Sequence, residues 1–449
     1  MQPMTKFISR KLTVAAAFGI LMAPQLAAAQ MDAHMRHLST DRVQRMHHSA
    51  QMMSAHHRQA AMMRATGSNA IARQSLTGMQ VGMERLGGRR GNFYVRSGEF
   101  IGINLSSASR QQLADLGYVI TRSERLQQLA MTIDVIAIRS SRSVKKALRR
   151  ARRADPEGTY LPNALFAASS ASVRRSAAEP DATVRSGSPV VLNGTRLGLI
   201  DTAVDPRLVN RLVARDMPVT LKQRKFGPGD AVLPRRHGTT VAAQAVRSGA
   251  QHLVVADVFS NVTGYADVAA IALALEWMAD QNLSVVNLSL SGPPHDLLEA
   301  AIAALIARGH VIVAAVGNEG LKRGPAYPAA YPHVIGVTAV DQQLSLYGKA
   351  NAGPGVDVAA IGVDVEIPVL SSDPAESEPV SGTSFAAPVV AAILGQAFRA
   401  PALGAADLAL ALIERTAVDL GPPGKDNMFG AGAVFPASQS AAISTGQSR

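Results

Sequence analysis

The feature that most constrains this chain is a short block of small residues around one serine. The block reads Gly382-Thr383-Ser384-Phe385-Ala386-Ala387-Pro388. A glycine lets the backbone turn sharply before the serine, and a proline is tolerated in the first turn of a helix. Because the free N–H groups and the positive dipole end of a helix lie at its N-terminus, this block predicts a serine nucleophile at the start of a buried helix.

Three polar residues that could assist this serine lie upstream, each in a suitable context. Asp201 ends an apolar run typical of a buried strand, His237 opens a block of small residues at a predicted helix start, and Asn318 follows a second buried strand. Each residue alone has a structural reading, as a turn or capping residue. Together with the serine they run in the order Asp, His, Asn, Ser. The order Asp, His, Ser is one of several in which a catalytic triad occurs.

These blocks resemble those of the subtilisin-like serine peptidases, and the likeness covers residues 190–435. The matching segments are Leu199-Ile200-Asp201-Thr202, His237-Gly238-Thr239, Gly317-Asn318 and the serine block, with weaker matches over 285–293 and 327–332. The resemblance implies that Ser384 attacks the peptide carbonyl, His237 moves the proton and Asp201 orients the imidazole. It also implies that Asn318 and the backbone N–H of Ser384 bind the developing oxyanion.

The resemblance also implies how a substrate is bound. Ser289, Leu290 and Ser291 would pair with an extended peptide, and Ala315 and Gly317 would line the primary specificity pocket. One departure concerns the turn after Asp201, where Ala203 replaces the glycine common in the family. If that turn requires a positive φ, the alanine is strained by about 1 kcal/mol or more.

Two folding units are predicted. One contains the candidate catalytic residues, and the other precedes it in the chain. The catalytic unit is expected to be a doubly wound α/β domain with a mainly parallel sheet, with strands centred on Leu199, Val254, Val286 and Val313. Residues 92–168 predict a βαββαβ order, the ferredoxin-like arrangement, which resembles the inhibitory propeptide of subtilases. Its second helix carries a basic face that either docks on the acidic enzyme unit or is simply an exposed charged surface.

The remaining segments are predicted from composition. Residues 1–29 read as a secretory signal, because a basic start precedes an apolar run and a small-residue cleavage site. No later run of about 18 apolar residues occurs, so no stable membrane span is expected after signal removal. The predicted signal is compatible with a periplasmic or secreted location. The predicted organisation is completed by a His/Met-rich leader over 30–91, a linker over 169–189, the catalytic domain over 190–437 and a disordered tail over 438–449.

The charge is distributed unevenly along the chain. The formal net charge is +12, but residues 1–186 contain 27 Lys+Arg against 11 Asp+Glu, and residues 187–449 contain 18 against 22. The predicted enzyme unit is therefore mildly acidic, which argues against nucleic acid as a partner. The expected partners are protein or peptide substrates and the chain's own propeptide. The absence of cysteine excludes disulfides and thiol catalysis.

The His/Met-rich leader supports a different kind of function. Six of the 11 histidines lie there with several methionines, and imidazole and thioether ligands suit copper or zinc, although an amphipathic or flexible leader is the favoured reading. The alternative function is a catalytically weak pseudopeptidase or binding protein whose leader holds metal. No cofactor and no metal-ligating residues are assigned, since calcium is common in the family but no Asp-rich loop is present. General degradation and dedicated processing of one partner both stay open.

Overall fold

The computed structural model describes residues 82–88, 91–138, 143–169, 194–208, 219–229, 232, 235–368 and 377–436. All of them belong to the second of two units into which the chain divides, Ala70–Arg449. The predicted signal, the tail, the leader as far as residue 81 and the linker beyond Ser169 lie outside the described residues.

Residues 82–169 form an antiparallel sheet with two helices on one face. The elements are β1 (Met83–Gly88), β2 (Gly91–Ile103), α1 (Ser107–Asp115), β3 (Val119–Leu126), β4 (Met131–Ala137), α2 (Val144–Ala154) and β5 (Thr159–Ala168). The strands lie in the order β5-β2-β4-β3, with β1 paired to β2. Residues 83–88, which the sequence places in the leader, instead pair with β2, and Gly88 faces Gly91 where the two strands of this hairpin end.

The rest of the described chain is an α/β unit. Its elements are β6 (Arg196–Asp201), β7 (Thr220–Lys225), α3 (Arg236–Arg247), β8 (His252–Asp257), β9 (Ala266–Asp267), α4 (Val268–Asp280), β10 (Val285–Leu288), β11 (Leu290–Ser291), α5 (Asp296–Ala307), β12 (Val311–Ala315), β13 (Val334–Val340), β14 (Val358–Ile361), β15 (Val365–Pro368), β16 (Ser377–Val380), α6 (Thr383–Ala397) and α7 (Ala405–Thr416). None of the helices in the described ranges is long and apolar enough to cross a membrane.

A seven-stranded parallel sheet organises this unit, in the order β14-β13-β12-β10-β6-β8-β7. The four strands predicted from apolar runs lie in its centre, which confirms the doubly wound α/β prediction. Successive strand residues face opposite cores: Leu199 packs with α3, α6 and α7, whereas Ile200 packs with α4 and α5. Both faces of the sheet are covered, which is why its strands read as continuous apolar runs.

The N-terminal sheet packs its helix-free face onto α4 and α5. Ile101, Leu161 and Phe166 join the same core as Ile271 and Trp277. Polar contacts frame this apolar contact. The carboxylate of Glu276 accepts hydrogen bonds from the backbone N–H of Gln128 at 2.9 Å and of Leu129 at 3.0 Å. Arg96 pairs with Asp267 at 3.2 Å, and Asn163 Oδ1 accepts from Ala269 N at the start of α4.

The basic helix α2 lies on the opposite face of this small sheet. Its apolar residues, including Val144 and Leu148, are buried against Phe100 and Tyr160. Its six basic residues are all exposed: Lys145, Lys146, Arg149, Arg150, Arg152 and Arg153. The expectation that this basic face docks on the enzyme unit is therefore wrong, because the sheet separates the helix from α4 and α5. The alternative reading, an exposed charged surface, agrees with the structure.

His295 connects the N-terminal sheet to the α/β unit and provides a test of the contact between them. It is buried, its Nδ1 accepts from Leu297 N at 3.2 Å, and its Nε2–H donates to the Pro162 carbonyl at 2.9 Å. Burial lowers the pKa of His295, against opposing effects of the Pro162 carbonyl and Asp296. Protonation would abolish the Nδ1 acceptor. Because the folded pKa lies below the unfolded value of about 6.5, this stability is full above that pH and is lost as the pH falls through the folded pKa.

We predict that acidification lowers the melting temperature of the full chain less when His295 is replaced by asparagine. Asparagine can still cap α5 but does not titrate. The measurement compares Ser384→Ala with Ser384→Ala/His295→Asn at pH values of about 7.5 and 5.5. An equal fall in melting temperature for both proteins would exclude His295 as the group responsible.

Candidate active site

Asp201 and His237 meet at the carboxyl end of the parallel sheet. Asp201 is the last residue of β6 and His237 lies in the first turn of α3. Their side chains are only 1% and 2% exposed, and His237 Nδ1–H donates to Asp201 Oδ1 at 2.7 Å. The same oxygen accepts from Thr202 N at 2.6 Å. The bond to Nδ1 leaves Nε2 as the basic nitrogen, which is the tautomer a general base requires.

Close packing of two backbones makes this contact possible. A Cβ on Gly238 would lie 2.1 Å from the carbonyl oxygen of Thr202, so only glycine lets α3 begin this close to β6. Gly238 N also donates to Thr202 Oγ1 at 2.8 Å. The neighbouring Ala203 is buried and has no positive φ. The strain expected at Ala203 is therefore absent, because the turn does not need a left-handed residue.

Asn318 is held with its amide nitrogen facing the cleft. Its Oδ1 accepts from Thr383 N at 3.0 Å and from Thr383 Oγ1 at 3.1 Å, and Thr383 Oγ1 in turn accepts from Gly317 N. Gly317 has a φ of 102°, and a Cβ there would lie 2.6 Å from Asn351 Nδ2. Glycine is thus required where the chain turns from β12 to Asn318.

Ser384 lies in the first turn of α6 and is completely buried. Its carbonyl accepts from Ser289 Oγ at 2.8 Å, and Ser289 Oγ accepts from Asn287 Nδ2 at 2.9 Å. Within the described residues, Ser384 Oγ and His237 Nε2 have no hydrogen-bond partner. Both atoms are therefore buried and free of other hydrogen bonds, as the nucleophile and the base predicted from the sequence require.

The chain's own strand β5 lies in the cleft between β9 and β11, beside these residues. It pairs antiparallel with β11 through Ala167 and Ala168, and with β9 through Leu165 and Phe166. Ser169 continues the strand, and its N–H donates to the Ser289 carbonyl at 3.2 Å. The three predicted substrate-strand residues therefore lie along a bound extended segment: Ser289, Leu290 and Ser291.

The carbonyl of Ser169 lies where the predicted catalytic groups converge. It accepts a hydrogen bond from Asn318 Nδ2. A methyl group on Gly382 would lie 3.2 Å from this carbonyl oxygen, 3.4 Å from Asn318 Nδ2 and 3.4 Å from Ser384 Oγ. The oxygen of one particular peptide bond is thus bound by the carboxamide predicted to hold an oxyanion.

Phe166 is the large, fully buried side chain of the segment that pairs with β9 and β11. A Cβ on Gly292 would lie 2.3 Å from its ring. Of the two residues predicted to line the primary pocket, Gly317 lies at the turn before Asn318. Ala315 packs in the core of the sheet with Val313 and Val337.

No three His, Asp or Glu side chains cluster as metal ligands in the described ranges. The histidines of the leader, His34, His37, His47, His48, His56 and His57, lie outside those ranges. The structure adds two residues that sequence reasoning did not assign to the site, Thr383 and Ser169. Thr383 stands in the serine block itself, whereas Ser169 carries no local signal.

Comparisons with known proteins agree with this architecture. A family model described as the subtilase family matches residues 193–432, which is more than half of the chain. Halolysin from Haloferax mediterranei is 36% identical over 160 residues, covering 35% of this chain and 30% of that protein. Subtilisin Savinase from Lederbergia lenta is 37% identical over 132 residues, covering 29% and 48%. The aligned parts thus span less than half of these relatives.

A solved structure resembles a larger part of the chain. Fervidolysin from Fervidobacterium pennivorans, described as a keratinolytic enzyme related to subtilisin, superposes with a TM-score of 0.60 at 18% identity. The superposition covers 78% of this chain and 61% of that one. At this identity it shows a similar fold and nothing about function. With the family match over residues 193–432, the chain belongs to the subtilase family of serine peptidases.

Proposed function

We propose that this chain is an exported serine endopeptidase, made as a proenzyme that cuts itself. The observation that carries the proposal is the position of the Ser169 carbonyl, bound by Asn318 beside Ser384. Family membership supports peptide-bond hydrolysis, and the Asp201–His237 contact supports an intact triad.

In the proposed mechanism, Ser384 Oγ attacks the carbonyl carbon while His237 Nε2 takes its proton. The buried bond between His237 Nδ1–H and Asp201 keeps Nε2 free for this step and stabilises the imidazolium that forms. Negative charge develops on the carbonyl oxygen, where Asn318 Nδ2 is already placed and the Ser384 backbone N–H is the proposed second donor. His237 then protonates the leaving amine, and water releases the acyl group from Ser384 by the same steps.

Residues 82–169 are the proposed propeptide. The βαββαβ order from β2 to β5 and the strand order β5-β2-β4-β3 support a ferredoxin-like unit extended by β1, and its packing on α4 and α5 supports a role in folding and inhibition. The first substrate is then the chain itself. The bond cut is Ser169–Ser170, because the carbonyl of that bond is the one held by Asn318.

The alternative, a catalytically weak binding protein with a metal-holding leader, is not favoured. The four residues of the proposed machinery are all present, Asp201 is hydrogen-bonded to His237, and Asn318 is bonded to Thr383 beside Ser384. Export rests on the predicted signal segment, and no cofactor is proposed. Substrates are proteins or peptides that can adopt the extended form seen in β5.

We expect the purified chain beginning at Gln30 to split at one bond. Mass spectrometry should identify a fragment ending at Ser169 and a fragment beginning at Ser170. The Ser384→Ala variant should stay whole under the same conditions. A first cut at another position, or a cut that persists in the variant, would contradict the assignment.

Replacing Asp201 by asparagine should lower kcat for peptide hydrolysis about 10⁴-fold, with little change in KM. The amide favours the wrong imidazole tautomer while the geometry is kept. Steady-state hydrolysis of a chromogenic peptide by the processed enzyme measures the effect. Asp280→Asn, on the exposed end of α4, is the matched control and should behave as wild type. A loss below tenfold would argue against the assigned role.

Replacing Gly292 by valine should slow self-cleavage, because the new side chain would occupy the space of the Phe166 ring. We expect a rate about 5- to 150-fold slower, since overpacking of this kind costs about 1–3 kcal/mol. The second variant Gly292→Val/Phe166→Ala frees that space and should recover part of the rate. Densitometry of a gel time course gives both rates, and an unchanged rate in the single variant would refute the contact.

A further inference from the structure

Lys225 occupies an inward position of the edge strand β7, where an apolar residue is expected. The strand alternates exposed and half-buried residues, and Lys225 is on the half-buried side with Leu221 and Gln223. Its side chain is only 10% exposed. Lys222 and Arg224 point to the other, exposed side. A lysine on the inward side must have partners, because burying an unpaired charge is costly.

Three oxygen atoms surround the Lys225 ammonium group. Nζ donates to Asp257 Oδ2 at 2.9 Å, to the carbonyl of Phe259, and to Asn261 Oδ1 at 3.4 Å. An ammonium group has three N–H donors, so all three are used. Asp257 is the residue that aligns with Asp201 across the β6–β8 pair. The cation therefore joins a strand end next to the catalytic aspartate to the loop that follows.

Arg235 holds the next carbonyl of the same loop. Its Nη2 donates to the carbonyl of Ser260 at 3.0 Å, and its own N–H donates to the Ala203 carbonyl at 3.0 Å. Arg235 directly precedes α3, the helix that carries His237. Two cations from different elements thus bind consecutive carbonyls, Phe259 and Ser260. We call this pair, Lys225 and Arg235, the cation brace.

The braced loop leads directly into the strand that borders the cleft. Ser260 N donates to the Tyr265 carbonyl at 2.8 Å, and Phe259 forms a bridge with Ala266. Ala266 is the first residue of β9 and pairs with Phe166. The other edge of the bound segment pairs with β11. None of the hydrogen bonds described above joins Lys225 or Arg235 to β11. The brace therefore acts on one wall of the cleft.

We propose that the cation brace positions β9 to bind the fourth residue on the N-terminal side of the cut bond. In this chain that residue is Phe166, because the proposed cut follows Ser169. Lys225 and Arg235 are positioning residues, whose side-chain bonds described above run to Asp257 and to the loop that follows β8. Substrates long enough to reach β9 depend on the brace, whereas substrates that contact only β11 do not. This inference rests on the proposed function for its kinetic consequence but not for its structural one.

The structural consequence is tested in the uncut full chain, in the Ser384→Ala background. Lys225→Met should increase hydrogen–deuterium exchange about tenfold in a peptide covering 258–267, with exchange over 285–291 unchanged. Lys222→Met, on the exposed side of the same strand, is the matched control and should leave both peptides unchanged. Because Lys225→Met leaves the Asp257 charge buried, the double variant Lys225→Met/Asp257→Asn is measured as well. Unchanged exchange over 258–267 in both Lys225 variants would overturn the proposal.

The kinetic consequence is tested with the processed enzyme and two fluorogenic amides, Phe-Ala-Ala-Ser and Ala-Ser, which copy residues 166–169 and 168–169. We expect Lys225→Met to lower kcat/KM about tenfold for the longer amide, mainly through KM, and less than twofold for the shorter one. Lys225→Arg keeps the charge and should recover most of the loss. Equal losses on both amides would mean a general structural role and would overturn the positioning role. If the wild-type chain cuts neither amide, the proposed function fails, and the exchange experiment still decides on the brace.

Discussion

Strand β5 belongs to two sets of hydrogen bonds, and the geometry of the site depends on this. Through β2 it is part of the N-terminal sheet, and through β9 and β11 it is bound in the cleft of the α/β unit. The first set fixes where the strand leaves the small sheet. The second fixes its register, so that Ser169 presents its carbonyl to Asn318. A shift of one residue would turn Phe166 away from its pocket, since side chains alternate along a strand.

Burial determines the chemistry at the end of the parallel sheet. Asp201 and His237 are almost inaccessible to water, so the bond between them is strong and its orientation is fixed. The neighbouring Asp257 has its pKa raised by burial, and Lys225 opposes that rise. Two carboxylates thus end adjacent strands, and each has its own basic partner. His237 is bonded to Asp201, whereas Lys225 is bonded to Asp257 and to the loop that follows it.

Much of the site could be predicted from the sequence because its residues follow local rules. Ser384 and His237 begin helices made of small residues, and Asp201 and Asn318 follow continuous apolar runs, so each has a recognisable context. The parallel strands were predictable for the same reason: strands buried on both faces are apolar throughout. The hairpin at Gly88 and Gly91 was missed because glycines mark linkers and tight turns alike.

Other features depend on contacts between distant segments and left no local signal. Helix α2 has a strongly basic face, but only the packing of the small sheet decides that this face points away from the enzyme unit. Lys225 reads as one more charge in the run Lys222-Gln223-Arg224-Lys225, and its role needs the loop after β8 folded over it. Ser169 looks like any residue of a small, polar linker until β5 is paired with β11.

The central claim is that Ser384 is an active nucleophile whose cleft is filled by residues 165–169 until the chain is cut. The most direct test is labelling with a fluorophosphonate during maturation, followed by peptide mapping of the uncut and cut species. We predict no label on Ser384 in the uncut chain and full labelling once the N-terminal fragment has been removed. Prompt labelling of Ser384 in the uncut chain would contradict the occupied cleft, and no labelling in either species would contradict the nucleophile.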